Sequence, residues 1–364
     1  MAAVFRVLVA AALMVLLAGC GGDVSTGAVD QRTFRWKMVT TWPPNFPVLQ
    51  EGAEKLAADI EAMSGGRLTI SVFAGGELVP ALQAFDAVQL GSVEMGHGAA
   101  YYWAGKVPAA QFFSTVPFGM TAAGMYQWLY AGGGLELWQE LYQPFGVRPF
   151  PAGNTGIQMG GWFNKRIDSV DDLKGLKMRI PGLGGKVLAA AGGNPVLMSG
   201  GELYTALERG TIDATEWVGP LHDQRLGLDR AAQYYYYPGW HEPGTVLELV
   251  VNENAWQELP EDLQRIVATA TAAANLWMMT QSEVRNALSY DELIAAGKTE
   301  VLSFPSDVLG KLHDVTRATL AAEAEKDADF ARVYAAYQEF RARHARWNAV
   351  TGDAYDDALR APPP

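Results

Sequence analysis

The order of apolar patterns along the chain predicts an α/β protein of two lobes with long C-terminal helices. Three observations carry that expectation. Strand-like and helix-like segments alternate from residue 33 to residue 216, the signature of βαβ units. The 364 residues exceed the length at which one core usually divides in two. Beyond residue 262 the periodicity turns helical, in tracts at 262–296 and 307–345.

The first strand is expected over 33–39, where Phe34, Trp36 and Met38 alternate with polar residues. Pro47 suits the first turn of a helix carrying Leu49, Ala53, Leu56, Ile60 and Met63, and Ser64-Gly65-Gly66 stops it. A second strand at 68–73, a helix at 80–90 and a third strand at 93–99 complete a βαβαβ opening, so a parallel sheet is expected. Helices follow at 122–129 and 135–142. A second unit starts near Asn154, with strands at 157–163, 176–180, 194–197 and 211–216 and helices at 184–191 and 201–209. The apolar stretch 245–252 should carry the chain back to the first unit. Lobe I is therefore placed at 33–153, with 250–300 returning to it, and lobe II at 154–249. A long C-terminal helix is expected at 301–345, and a tail at 346–364, ending in three prolines, should fray.

Residues 1–20 read as an export signal: Arg6, an apolar run over 7–17 too short for a confident membrane span, then Leu17-Ala18-Gly19-Cys20. Cys20 is the only cysteine. It sits where a bacterial lipoprotein carries its lipid; the plainer alternative is an ordinary signal with a stray thiol. Residues 21–32 read as a tether. The expected location is the periplasm, with membrane anchoring through a lipidated Cys20. A net charge of -12 argues against a nucleic-acid partner. It also repels anionic solutes at long range, so any attraction for one must be local.

Such an attraction is available at Arg179, in Leu176-Lys177-Met178-Arg179-Ile180-Pro181. Pro181 forces its predecessor to be extended, which ends the strand and leaves Arg179 beside the mouth of a cleft. A guanidinium there suits a carboxylate held through two parallel hydrogen bonds; the bland alternative is a surface pair with Asp171 or Asp172. Gln158 lies between Gly156 and Gly160-Gly161, and Glu216 ends a strand directly before Trp217. An amide oxygen, a carboxylate and a backbone carbonyl are the hard donors that Na+ or Ca2+ takes. Structural hydrogen bonding for Gln158 and capping or ion pairing for Glu216 are the competing readings. Tyr102, in the aromatic run after the third strand, should face the cleft from lobe I, with Trp42 and Asn154 in the same group. Gly182-Leu183-Gly184-Gly185-Lys186 lacks phosphate-loop spacing. The five histidines show no metal-ligand spacing, so His241 is read as hinge or cleft wall.

Three segments together resemble the solute-binding receptors of TRAP (tripartite ATP-independent periplasmic) transporters, in the branch that binds 2-oxo acids. They are Gly153-Asn154-Thr155-Gly156-Ile157-Gln158-Met159-Gly160-Gly161-Trp162, the 171–185 stretch around Arg179, and Ile212-Asp213-Ala214-Thr215-Glu216-Trp217-Val218-Gly219-Pro220. The resemblance spans residues 35–343. It implies a hinged two-lobe (Venus-flytrap) binding fold in which Arg179 grips the solute carboxylate. It implies Na+ or Ca2+ held by Gln158, Glu216 and the Trp217 carbonyl, with Glu242 as a further ligand. Gln158, Trp217, Asn154 and Tyr102 also line the solute. Membrane permease subunits are the implied partners, and the C-terminal helix would allow a homodimer. No G-x-S-x-G elbow and no Ser/His/Asp order supports an enzyme acting on a carboxylate. A 2-hydroxy acid such as lactate is the alternative solute.

Overall fold

The computed structural model describes residues 31–360. The lipidation expected at Cys20 lies outside the described residues. Two sheets organise the chain. The first has the order β2-β1-β3-β10-β4, made of β1 (Phe34–Thr40), β2 (Leu68–Phe73), β3 (Met95–Gly98), β4 (Val147–Asn154) and β10 (Val246–Asn252). In β1 Trp36 and Met38 are buried while Arg35 and Lys37 face solvent, the alternation that marked it as a strand. β2 and β3 flank β1 in parallel. β10 runs antiparallel between β3 and β4, so the sheet is mixed rather than parallel. A strand that returns from the second unit needs no helical crossover and can pair in the opposite sense. All seven residues of β10 are buried, as in a strand covered on both faces. The expected lobe boundary at 249/250 falls inside this strand.

The second sheet has the order β11-β9-β5-β8-β6-β7. It contains β5 (Gly161–Phe163), β6 (Lys177–Arg179), β7 (Asn194–Val196), β8 (Ala214–Thr215), β9 (Tyr234–Tyr237) and β11 (Glu300–Ser303). Its strands are shorter than the apolar pattern suggests. The strand expected over 157–163 keeps only its last three residues, and Ile157 is 60% exposed. Gly161, at φ +114°, sits where a Cβ would lie 2.6 Å from the Thr215 carbonyl oxygen. The backbone thereby approaches β8 closely, and residues 157–160 leave the sheet as a loop. Neither β9 nor β11 is expected from the sequence; a run of four tyrosines and the four-residue Glu300-Val301-Leu302-Ser303 carry no alternation.

The helix Glu261–Ala296 extends 36 residues. Its Asn275 accepts from Gly153 N (2.7 Å) and donates to the Pro151 carbonyl (2.9 Å), binding it to β4. Farther along, Asn286 accepts from Leu221 N (3.0 Å), so the same rod also touches the second unit. The single helix expected at 301–345 is instead β11 followed by helices Ser306–Ala324 and Ala328–Asn348. Asp327 breaks the run: its side chain accepts from Phe330 N at 2.7 Å and caps a new helix. The tail expected to fray carries a further exposed helix, Gly352–Arg360. Trp42, Phe46, Leu49, Tyr101, Trp217 and Leu247 pack in one apolar cluster that takes residues from both units.

Glu248, in the middle of β10, is fully buried and accepts from Trp103 Nε1 and from the Tyr142 hydroxyl (3.0 Å). Burial pushes its carboxyl from 4.5 up to about 8. The folded chain therefore holds a proton that the unfolded chain releases, and this contribution to stability is lost as pH rises from 4.5 through 8. Glu248→Gln should remove up to one proton from the slope, about 1.4 kcal/mol per pH unit across that window. Urea unfolding of both proteins at several pH values tests it; parallel pH profiles would show that Glu248 is already ionised in the fold.

Candidate functional site

β6 ends at Arg179, as Pro181 requires, and the guanidinium is 1% exposed. The surface alternative is excluded, because Asp171 pairs with Lys174 and Asp172 caps the Ser169 turn. Arg179 Nη1 contacts Glu216 twice, donating to its backbone oxygen (3.3 Å) and forming a close ion pair with Oε1. Nε donates to the Met198 carbonyl (3.2 Å) and Nη2 to the Tyr102 hydroxyl (3.4 Å). The guanidinium carbon stands 4.9 Å from the centre of the Trp217 ring, a cation–π contact. Burial opposes the charge most strongly of any single effect, but Glu216, with Tyr102 and Tyr101, outweighs it and holds the group above its ordinary value.

Gln158 and Glu242 meet across the loop that follows β9. Gln158 Nε2 donates to Glu242 Oε2 (2.7 Å), Thr155 Oγ1 (3.1 Å) and Thr245 Oγ1 (3.3 Å). The Thr245 hydroxyl donates to the same Glu242 oxygen at 2.5 Å, and Tyr101 reaches it at 3.5 Å. Gly239 makes the approach possible: its N–H bonds the Gln158 carbonyl at 3.0 Å, and a Cβ there would lie 2.2 Å from that oxygen. With its amide nitrogen so engaged, Gln158 leaves Oε1 buried and unpartnered, as is Glu216 Oε2.

These orphaned atoms define the chemistry available. Glu216 and Glu242, 1% and 2% exposed, place two carboxylates against one guanidinium. Burial, and next the Glu216 carboxylate, raise the Glu242 carboxyl well above its ordinary value. A free Glu216 oxygen and a free Gln158 amide oxygen, with the buried Glu242 carboxyl beside Gln158, form a donor set that fits a hard cation. Glu216, His241 and Glu242 can each present a ligand atom within 4.8 Å of the others.

Among the residues expected at the site, the structure brings Arg179, Gln158, Glu216, Glu242, Trp217 and Tyr102 together. Asn154 lies at the end of β4 with Oδ1 committed to Gly156 N (2.8 Å). Trp42 turns its indole N–H to His97 Nδ1 (2.8 Å), and its ring lines the same small pocket as Leu49, Leu247 and Tyr102. His241, read from sequence as cleft wall, instead points Nε2 at Glu216 Oε2, 3.5 Å away. Sequence reasoning passed over Thr155, Thr245 and Tyr101, which orient the site polar groups. Thr155 and Tyr101 adjoin named candidates in the chain, while Thr245 carries no pattern of its own. Asp223 was missed too. It accepts from Val218 N (3.1 Å), Trp162 Nε1 (3.1 Å) and the Tyr235 hydroxyl (2.7 Å), fixing the backbone after Trp217.

Residues 38–327 match the model of the bacterial extracellular solute-binding proteins, family 7. A monocarboxylate 2-oxoacid-binding periplasmic protein of a Nostoc species is 49% identical over 323 residues, covering 89% of this chain and 88% of the relative. Two solved TRAP periplasmic solute-binding proteins each superpose with a TM-score of 0.87 at 44% identity over 90% of this chain. One, from Pseudoalteromonas atlantica, is covered over 99% of its length and holds sodium and pyruvate. The other, from Colwellia psychrerythraea, is covered over 100% and holds calcium and pyruvate.

The Asp223 network gives the site a structural test. Asp223→Ala strands three buried donors and should destabilise the fold by at least about 3 kcal/mol in urea unfolding. A loss below about 1 kcal/mol would mean the loop after Trp217 does not depend on it.

Proposed function

The chain belongs to the family 7 extracellular solute-binding proteins, the receptors of TRAP transporters, and on that premise we propose that it captures a small 2-oxo carboxylate of the pyruvate type together with a cation. As an extracytoplasmic receptor it delivers its solute to a membrane permease rather than transforming it. The observation that carries the ligand reading is the pair of orphaned buried oxygens, Gln158 Oε1 and Glu216 Oε2, on side chains whose other atoms are held by Glu242 and by Arg179.

Arg179 anchors the solute carboxylate through the Nη2 edge that it now shares with the Tyr102 hydroxyl. The cation, Na+ or Ca2+, takes Gln158 Oε1, Glu216, the Trp217 carbonyl and Glu242, and it neutralises the repulsion between Glu216 and an anionic solute. A 2-oxo acid offers a carboxylate and a keto oxygen to one ion at once, which a plain monocarboxylate does not. Asn154 bounds the site from the end of β4. Trp42, Leu49 and Leu247 supply an apolar end that suits a short alkyl group. The match of relatives that hold pyruvate with sodium or calcium supports this choice.

The lobes are assigned to 33–153 with 250–300 and to 154–249, with β10 (Val246–Asn252) going whole to the first because it pairs with β3 and β4, and they hinge around this site. A lipid on Cys20 would tether the receptor to the membrane. Trp347, at the end of the helix Ala328–Asn348, is 66% exposed, an apolar contact that supports a homodimer through the C-terminal helix.

Chelator-treated protein titrated with pyruvate under Na+, Ca2+ or choline, followed by tryptophan fluorescence, tests the assignment. Saturable binding is expected with Na+ or Ca2+ and not with choline; an equal response in choline removes the cation from the site. Arg179→Ala should weaken pyruvate binding by about 100-fold or more, and parental affinity in that variant would refute the anchor. Glu216→Gln should weaken binding and flatten its cation dependence.

A further inference from the structure

The imidazole of His241 is unexplained by a receptor that binds its cation through oxygen alone. It is 1% exposed, and neither Nδ1 nor Nε2 has a hydrogen-bond partner. A buried imidazole left without partners forfeits hydration with no return. Its position is specific. Nε2 stands 3.5 Å from Glu216 Oε2, itself orphaned, and Glu242 is the next residue in the chain. Ligand atoms from Glu216, His241 and Glu242 lie within 4.8 Å of one another, a span that bonds of roughly 2.0 to 2.6 Å to one central ion would cover.

Charge bears on the valence of the ion, and the donor type on its class. With both acids ionised, Glu216 and Glu242 carry two negative charges against the single positive charge of Arg179. An incoming carboxylate adds one more. A divalent ion, Ca2+ included, brings that count to zero, and a monovalent ion leaves one negative charge. Imidazole nitrogen is a borderline donor. It is a poor ligand for Na+ and Ca2+ and a good one for first-row transition ions.

We propose that the cation site accepts a divalent transition ion of the Mn2+, Co2+ or Zn2+ class, with His241 as a nitrogen ligand beside the carboxylates of Glu216 and Glu242. The inference rests on the reading of this site as a cation-assisted 2-oxo carboxylate receptor and names a second class of ion for it. Such an ion would supply a site for the solute's carboxylate and keto oxygens, with Arg179 holding the carboxylate. Coordination would use a ring nitrogen that no hydrogen bond occupies. Trp240 packs edge-on against the ring at 5.4 Å and gives it no hydrogen bond.

The test uses Co2+ on the chelator-treated protein. The wild type should develop visible cobalt absorption that changes when pyruvate is added, and its proton NMR spectrum should show a strongly shifted imidazole N–H. That measurement needs no variant. In His241→Gln the shifted signal should vanish, and the ratio of Co2+ to Ca2+ affinity, measured by calorimetry, should fall by about tenfold or more. His241→Asn, checked for folding by thermal melting, serves if the glutamine variant fails to fold. Absence of the shifted N–H in cobalt-loaded wild type, or an unchanged affinity ratio in the variant, overturns the nitrogen ligand. Pyruvate binding with Ca2+ but not with Co2+ would defeat this inference alone. Failure to bind pyruvate with any ion would defeat the receptor reading beneath it.

Discussion

The buried ion pair between Arg179 and Glu216 is the interaction on which the site geometry depends. Each partner is 1% exposed, and either alone would be an uncompensated charge in the interior. Glu216 engages Arg179 through both its backbone oxygen and its side chain, so the end of β8 is tied to the end of β6. Tyr102 contacts the same guanidinium from the turn that follows β3. One charge therefore gathers three segments that are far apart in the chain.

The pair does not balance the site. Glu242 lies in the same buried volume with its own neutral partners, Gln158, Thr245 and Tyr101, none of which carries a compensating charge. Ionising Glu242 beside Glu216 would set two negative charges against one positive, which is why burial and the Glu216 charge hold its carboxyl above its ordinary value. An oxygen donor set is assembled and held by hydrogen bonds made through its other atoms. Gln158 shows this best: three acceptors fix its amide nitrogen, so its carbonyl oxygen has one direction to face. The protein as a whole is acidic, so recognition of an anionic solute must come from this local arrangement and not from a long-range field.

Packing supplies the rigidity that such an arrangement needs. The 36-residue helix Glu261–Ala296 binds β4 through Asn275 and the 220–226 helix through Asn286, so both units rest on one rod. Glycines set the close approaches. Gly161 lets β5 press against β8, and Gly239 lets the Trp240-His241-Glu242 segment lie against Gln158. A side chain at either position would collide with backbone, which rotamer changes cannot relieve.

What could be read from the sequence was whatever local chemistry dictates. Alternating Phe34, Trp36 and Met38 specified β1, and Pro181 placed Arg179 at a strand end. Asn154, Gln158, Glu216 and Trp217 stood out through their motif context. Strand lengths in the second sheet were overestimated because apolar alternation continues past the point where Gly161 turns the backbone away. The break at Asp327 was legible in principle, since an aspartate three residues before Phe330 is a capping signal, but it was submerged in a helical pattern. Partners that meet only in space were beyond the sequence alone. The direction of β10, the roles of Thr245 and Asp223, and the placement of His241 beside Glu216 depend on contacts between segments tens of residues apart. Sequence determined which groups can bind and where strands begin. Tertiary structure decided which of those groups lose their water together, and that loss makes a buried imidazole and an unpaired oxygen informative.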